Sequence, residues 1–198
     1  MGDASNPART WDVLLLGGPS GAGKTSVSYR LAQHFGAGVV EIDDLQAAVQ
    51  EMTTPQQQPL LHIWATRPEI HRQSAELIFD QILAIADVLT PALEAVIDRH
   101  LRTKRPLILD GDLILPSLLN EPRFKDRVRG VFLYEESEPQ LVDNFGWREP
   151  GTIQNKRARV SGLYGQWLKD ESARSGITVI PARPWKTVLE RIVESLIV

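Results

Sequence analysis

The 198-residue chain contains no cysteine, which excludes disulfide staples and thiolate chemistry and fits a reducing compartment. It has no basic excess: 22 Lys and Arg against 25 Asp and Glu leave a net charge of −3. No overall field therefore draws it to nucleic acid or to an anionic membrane, and neither partner is expected. No apolar run approaches the roughly 18 residues of a membrane span; the best candidate, Ile82–Leu89, is broken by Asp87. Residues 1–10 carry no apolar core of the secretory kind, so no signal peptide is expected and a cytoplasmic protein is the default. There is no internal repeat, and the one biased tract is the short glutamine-bearing loop Thr53–Pro59. What is present is ordinary for a soluble protein, 42% apolar and 24% charged. The length suits a single domain, 1–198, with a full core.

One segment is not ordinary. The apolar run Val13-Leu14-Leu15-Leu16 leads into Gly17-Gly18-Pro19-Ser20-Gly21-Ala22-Gly23-Lys24-Thr25-Ser26. From Gly18 the order is G-x-x-x-x-G-K-T, the pattern of a phosphate-cradling loop between a strand and a helix. Gly18, Gly21 and Gly23 allow positive φ and bring backbone N–H groups close to phosphates, with Pro19, Ser20 and Ala22 completing the turn. Lys24 brings an ammonium to the outer phosphates, and the Thr25 hydroxyl is placed to hold Mg²⁺. A helix starting near Gly23 points its positive end at the same anion. Val27, Leu31 and Phe35 continue at near-helical spacing. ATP and Mg²⁺ are the implied cofactors.

Four further short aliphatic segments, Val39–Ile42, Leu107–Leu109, Val131–Tyr134 and Ile177–Ile180, have the character of parallel strands covered on both faces. Helical patterns separate them. Ile70, Leu77, Ile78, Ile82 and Ile85 predict one long amphipathic helix over 68–88. Thr90-Pro91 predicts an N-cap followed by a first-turn proline, opening a second helix to about Arg102. Ser137-Glu138-Pro139-Gln140 has capping-box spacing and opens another. A last helix follows Pro181–Trp185 and runs through Val198. This alternation predicts an α/β three-layer sandwich with a five-stranded parallel sheet. About sixty residues separate the second and third strands, too many for a simple crossover. A helical insert, about 53–105, would overhang the carboxyl ends of the strands and hold a second substrate.

Each strand end offers a candidate group. After the second strand, Asp43 could accept the proton of an attacking hydroxyl or position Mg²⁺. Either Asp43 or Asp44 could instead cap the next helix; Asp43 is assigned the chemistry and Asp44 the cap, although the pair could divide the tasks the other way. Leu107-Ile108-Leu109-Asp110-Gly111-Asp112 is an apolar strand finishing in Asp, the form whose carboxylate supports a magnesium shell. Asp112 would reach the acceptor, and the alternative for Asp110-Gly111 is a turn. After the fourth strand, Arg148, Lys156, Arg157 and Arg159 form a basic stretch within an expected lid, about 146–175. Arginine forks there would stabilise charge on a transferring phosphoryl group, Arg157 and Arg159 being chosen; the bland alternative is a solvated helix face. Backbone groups of Ala182 and Arg183 could read an adenine edge, whereas Trp185 is more often core packing. His62, Trp64, Arg67, His71 and Arg72 in the insert suggest an anionic or hydroxylated small acceptor.

The phosphate loop, Ile42-Asp43-Asp44 and Asp110-Gly111 together resemble the P-loop small-molecule kinases. That superfamily includes nucleoside-monophosphate, shikimate and gluconate kinases, chloramphenicol phosphotransferase and zeta-toxin-type kinases. Ile78-Phe79-Asp80-Gln81, Val96-Ile97-Asp98-Arg99 and Leu109–Pro116 are most similar to the 2-phosphoglycerate-kinase-like proteins. Those proteins carry Glu-Gly at the last segment and a His two positions after the Glu, where this chain has Asp110-Gly111 and Asp112. The resemblance implies a sheet ordered 2-3-1-4-5, an arginine-bearing lid, and ATP with Mg²⁺. It also implies Asp43 as the catalytic carboxylate, Arg148 near the adenine, and lid arginines drawn from Arg157 and Arg159. The expected activity is transfer of the γ-phosphate of ATP to a hydroxyl of a small metabolite, 2-phosphoglycerate-like acceptors included. The alternatives are an antibiotic or nucleoside phosphotransferase of the same fold, or a nucleotide-gated regulatory ATPase.

Overall fold

The structure is a computed structural model that describes residues 9–151 and 154–197. The signal-peptide reading at residues 1–8, the expected lid at 152–153 and the end of the last helix at 198 lie outside the described residues. Five parallel strands form one sheet: β1 (Val13–Gly17), β2 (Gly38–Glu41), β3 (Leu107–Gly111), β4 (Val128–Tyr134) and β5 (Thr178–Pro181), in the order β2-β3-β1-β4-β5. This is the expected order. The central strand β1 is buried along its whole length, so its side chains alternate between two apolar layers rather than between core and solvent. Val13 and Leu15 join Leu107, Leu109 and Phe132 on one face. Leu14 and Leu16 join Ile108, Val131 and Leu133 on the other.

Helices cover both faces. α1 (Lys24–Phe35) buries Val27, Leu31 and Phe35 against the second face, where the carboxyl-terminal helix also packs through Val188, Ile192 and Leu196. α2 (Ile42–Glu51) begins directly after β2, one residue earlier than the strand reading over Val39–Ile42 allowed. Asp43 and Asp44 therefore stand in the first helical turn, where carboxylates are favoured by the helix dipole. The N-cap is Glu41, with no side-chain capping bond, so the expectation that Asp44 caps α2 is corrected.

The insert is also corrected. Instead of two long helices it holds α3 (Ile63–Thr66), a 3₁₀ turn over Pro68–Arg72, and one 29-residue helix, α4 (Ala75–Thr103). Ser74, whose hydroxyl accepts from Leu77 N at 3.3 Å, is the true N-cap. Thr90 and Pro91 lie inside α4. Proline there removes one backbone donor and crowds the preceding turn, but Ile85, Leu89, Leu93, Ile97 and Leu101 form an unbroken buried stripe that carries the helix through. Pro91 itself faces solvent, and the Thr90 hydroxyl donates to Ala86 O at 2.9 Å. Continuous burial outweighs the local stop signal.

α5 (Glu138–Arg148) starts as expected, with Ser137 accepting from Gln140 N. α6 (Asn155–Ser175) covers most of the segment expected as a lid, yet Ala158, Val160, Tyr164 and Leu168 are buried and α6 packs along α4. α7 (Val188–Ile197) closes the fold. Among the described residues no helix is long and apolar enough to cross a membrane.

Candidate active site

The loop between β1 and α1 takes its shape from glycines that nothing else could replace. Gly18 has φ of 143°, and a Cβ there would sit 2.1 Å from Leu133 O. Gly23 is the left-handed N-cap of α1 at φ 88°, and a Cβ would lie 2.5 Å from the Trp185 ring. These constraints leave the first turn of α1 facing a cavity of about 760 Å³, within the range of small-molecule sites. Ser20, Gly21, Ala22, Gly23, Lys24, Thr25 and Ser26 line it, whereas Gly18 and Pro19 stand behind as support. Lys24 is 6% exposed and donates to Pro19 O at 3.0 Å and to Asp112 Oδ1 at 2.5 Å.

The ends of β2 and β3 supply an acidic wall of Glu41, Asp43, Asp110 and Asp112. Asp110 is 2% exposed; its Oδ2 accepts from Ser28 at 3.0 Å, while Oδ1 is buried without a partner. Burial raises its carboxyl above the usual range, opposed by the charge of Lys24 and by the nearby hydroxyls of Thr25 and Ser28. An unpartnered carboxylate oxygen beside the Thr25 hydroxyl suits the water shell of a small hard cation. Among the described residues no three His, Cys, Asp or Glu side chains could hold a metal ion together. Mg²⁺ would therefore depend on Thr25, Asp110 and the phosphates of its own ligand. Asp43 is exposed to the cavity yet flanked by its concave walls. Its carboxyl is raised, first by desolvation and then by the charge of Asp112, with Lys24 pulling the other way.

The remaining walls come from the carboxyl-terminal half. Trp147 and Arg148 from the end of α5, Arg157 from α6, and Ala182, Arg183 and Trp185 after β5 all line the cavity. Arg157 bonds Glu149 at 2.6 Å and lies over the Phe145 ring at 4.3 Å. Arg183 bonds the buried Glu135 at 3.0 Å.

Several residues singled out in the sequence are placed elsewhere. Arg159 projects away, near Glu76 and Glu138 at 3.9 and 3.8 Å. Asp44 does not line the cavity, nor do His62, Trp64, Arg67 and His71. His71 stacks on Trp64 at 5.2 Å, and His62 meets Thr53. Conversely, Glu41, Glu135, Asn144 and Trp147 line the cavity but carry no motif. Glu135 could have been found as an acid ending the fourth strand. Asn144 donates to Gly21 O at 2.9 Å from mid-helix, which no local pattern announces. Trp185 does two jobs, packing partly on the second core face and lining the cavity.

Three comparisons bear on this arrangement. The profile of a family described as isopentenyl transferase matches residues 11–127. The curated proteins contain no match. Among solved structures, a gluconokinase from Sinorhizobium meliloti 1021 superposes with TM-score 0.56 at 18% identity, over 96% of this chain and 94% of that one. Shikimate kinase from Acinetobacter baumannii in complex with shikimate gives 0.54 at 17%, over 96% and 94%. Deoxyadenosine kinase from M. mycoides with bound dCTP gives 0.51 at 12%, over 93% and 98%. At such identities the likeness is one of fold alone, a parallel sheet ordered β2-β3-β1-β4-β5 with helices on both faces.

Proposed function

We propose, on the premise that this chain belongs to the isopentenyl transferase family and has the P-loop kinase fold, that it is an ATP-dependent phosphotransferase. It moves the γ-phosphate to a hydroxyl of a small metabolite. The observation that carries this reading is one cavity lined at once by a phosphate loop, the raised carboxyl of Asp43 and the guanidinium of Arg157.

Backbone N–H groups of 20–26 and Lys24 hold the triphosphate, with the positive end of α1 behind them. Asp43, at the opening of α2, accepts a hydrogen bond from the acceptor hydroxyl and takes its proton as the acceptor oxygen bonds to the γ-phosphorus, while the bond from that phosphorus to the bridging oxygen breaks and ADP leaves. The raised carboxyl makes it a better base than an ordinary aspartate. Arg157 faces the phosphates from α6 and stabilises charge on the transferring group. Thr25, and Asp110 through water, would hold a Mg²⁺ ion beside the phosphates, and the ion would supply charge neutralisation to the transferring group. Arg148, Ala182, Arg183, Trp147 and Trp185 enclose the base and ribose.

The test is calorimetry with ATP and Mg²⁺, followed by ADP release with and without a pool of hydroxylated metabolites. Nucleotide uptake with turnover only in the pool supports the reading. A partner-stimulated, acceptor-independent hydrolysis would instead favour a regulatory ATPase. The family match favours a second reading, transfer of an isopentenyl group from a diphosphate held in the same loop. The matched region, 11–127, includes the phosphate loop and Asp43 but ends before Arg148 and Arg157. Against it, the acceptor side of the cavity is walled by carboxylates rather than by the apolar side chains that a prenyl group needs. Mass spectrometry after incubation with a prenyl diphosphate and adenine nucleotides separates the two, since only prenyl transfer adds the hydrocarbon mass.

A further inference from the structure

The charges around the cavity are sorted across the sheet. On the β4–β5 side, Arg183 is tied to Glu135 and Arg157 to Glu149. On the β2–β3 side stand Glu41, Asp43, Asp110 and Asp112, and the cation bonded among them is Lys24, through Asp112. Tyr29 donates to Glu41 at 2.6 Å. Among the described residues nothing donates to Asp43, and the buried Oδ1 of Asp110 is unpartnered. Arg148 is felt at Asp43 only as the weakest of the influences there.

We infer that the acceptor is a small hydroxylated molecule bearing an ammonium group, an amino alcohol or amino sugar, and that Asp112 selects it. This rests on the phosphotransferase reading: once Lys24 turns to the phosphates, Asp112 loses its partner and faces the acceptor beside Asp43. An ammonium group restores the ion pair, whereas a phosphate or carboxylate meets like charge from two sides. Of the basic residues, His62, Arg67 and His71 of the insert do not line the cavity, and Arg157 and Arg183, which do, are already paired with Glu149 and Glu135. The Asp112 backbone is itself held, because the buried Tyr164 of α6 donates its hydroxyl to Asp112 O. The carboxylate therefore projects from a fixed point, which a selecting group needs.

The experiment loads the protein with a non-hydrolysable ATP analogue and Mg²⁺. It is then titrated calorimetrically with glucosamine, 2-aminoethanol, glucose, gluconate and glucose 6-phosphate. Glucosamine is expected to bind about tenfold or more tighter than glucose, and glucose tighter than either anion. Asp112→Asn brings the glucosamine-to-glucose ratio close to one and Asp112→Glu preserves it, at saturating analogue so that any change at Lys24 is masked. Should the Asn variant fail to fold, the wild-type order alone decides. An anion bound first, equal binding of all probes, or no binding of either ammonium probe overturns the inference. The outcomes for the parent reading are separate. Ordered binding without any ADP release from ATP sinks the phosphotransferase, while turnover of gluconate in preference to glucosamine sinks only the selectivity.

Discussion

Asp43 stands in the first turn of α2 with its carboxyl raised above the usual range by desolvation and by Asp112. A raised carboxyl makes the folded state bind its proton more readily than the unfolded chain does. Its contribution to stability is thus lost as pH climbs from the ordinary carboxylate value through the raised one. Asp43→Asn should therefore melt at the wild-type temperature in acid and above it at neutral pH, a divergence read by thermal scans across that window. The same substitution should lower phosphoryl transfer by about 10²–10⁴ while calorimetry finds nucleotide affinity intact. Robust turnover would remove Asp43 from the chemistry. The two arginines chosen from sequence part company here. Arg157→Ala should cut kcat by about 10³ or more, in the range of arginine contributions to phosphoryl transfer, because its guanidinium lines the cavity. Arg159→Ala should leave kcat near wild type, since Arg159 projects toward Glu76 and Glu138. Equal losses in both variants would count against this assignment. No sequence pattern distinguishes them: two residues along a helix is a rotation of about 200°, and only the packing of α6 says which face meets the site.

At the scale of elements, α1 and α4 teach opposite lessons. α1 is announced by its own residues, because the glycine turn, Lys-Thr and the spacing of Val27, Leu31 and Phe35 are local. Gly23→Ala should abolish nucleotide uptake in calorimetry, since its φ of 88° and the Trp185 ring 2.5 Å away leave no room for a Cβ. Thr90-Pro91 predicts a break between two helices, yet α4 runs through it because its buried stripe continues from Ile85 to Leu101. Proline remains a local cost there. Pro91→Ala should stabilise the protein by about 2 kcal/mol, the helix-interior penalty less the entropy that proline removes from the unfolded chain. In a chain of this size that is about 4–8 °C in Tm. An unchanged or lower Tm would mean that Pro91 helps to shape α4. The Ser137 cap was readable because a capping box needs only four consecutive residues.

For the whole molecule, the cavity joins elements from both halves, so its ligand should act as a clamp. ATP with Mg²⁺ at one hundred times its Kd should stabilise the fold by about 2.7 kcal/mol. Tm should rise with the logarithm of ligand concentration, and a flat titration would contradict nucleotide binding. The parallel sheet was legible in five short aliphatic runs separated by helical patterns, whereas its strand order was implied only by the resemblance to the P-loop kinases. The acceptor wall was not legible. His62, Trp64, Arg67 and His71 cluster in the sequence but line no part of the cavity, whereas Glu135 and Asn144 reach it from separate elements.

What the chain's residues determined unaided was the glycine-shaped phosphate turn and the parallel sheet that carries it. Backbone sterics, proline-free aliphatic runs and capping act between near neighbours. What only the tertiary structure decided was which charges share one space. Lys24 meets Asp112 across 88 positions, Arg157 turns inward and Arg159 outward, and Asp43 and Asp112 feel each other, all set by the register of strands and the rotation of helices about a common core.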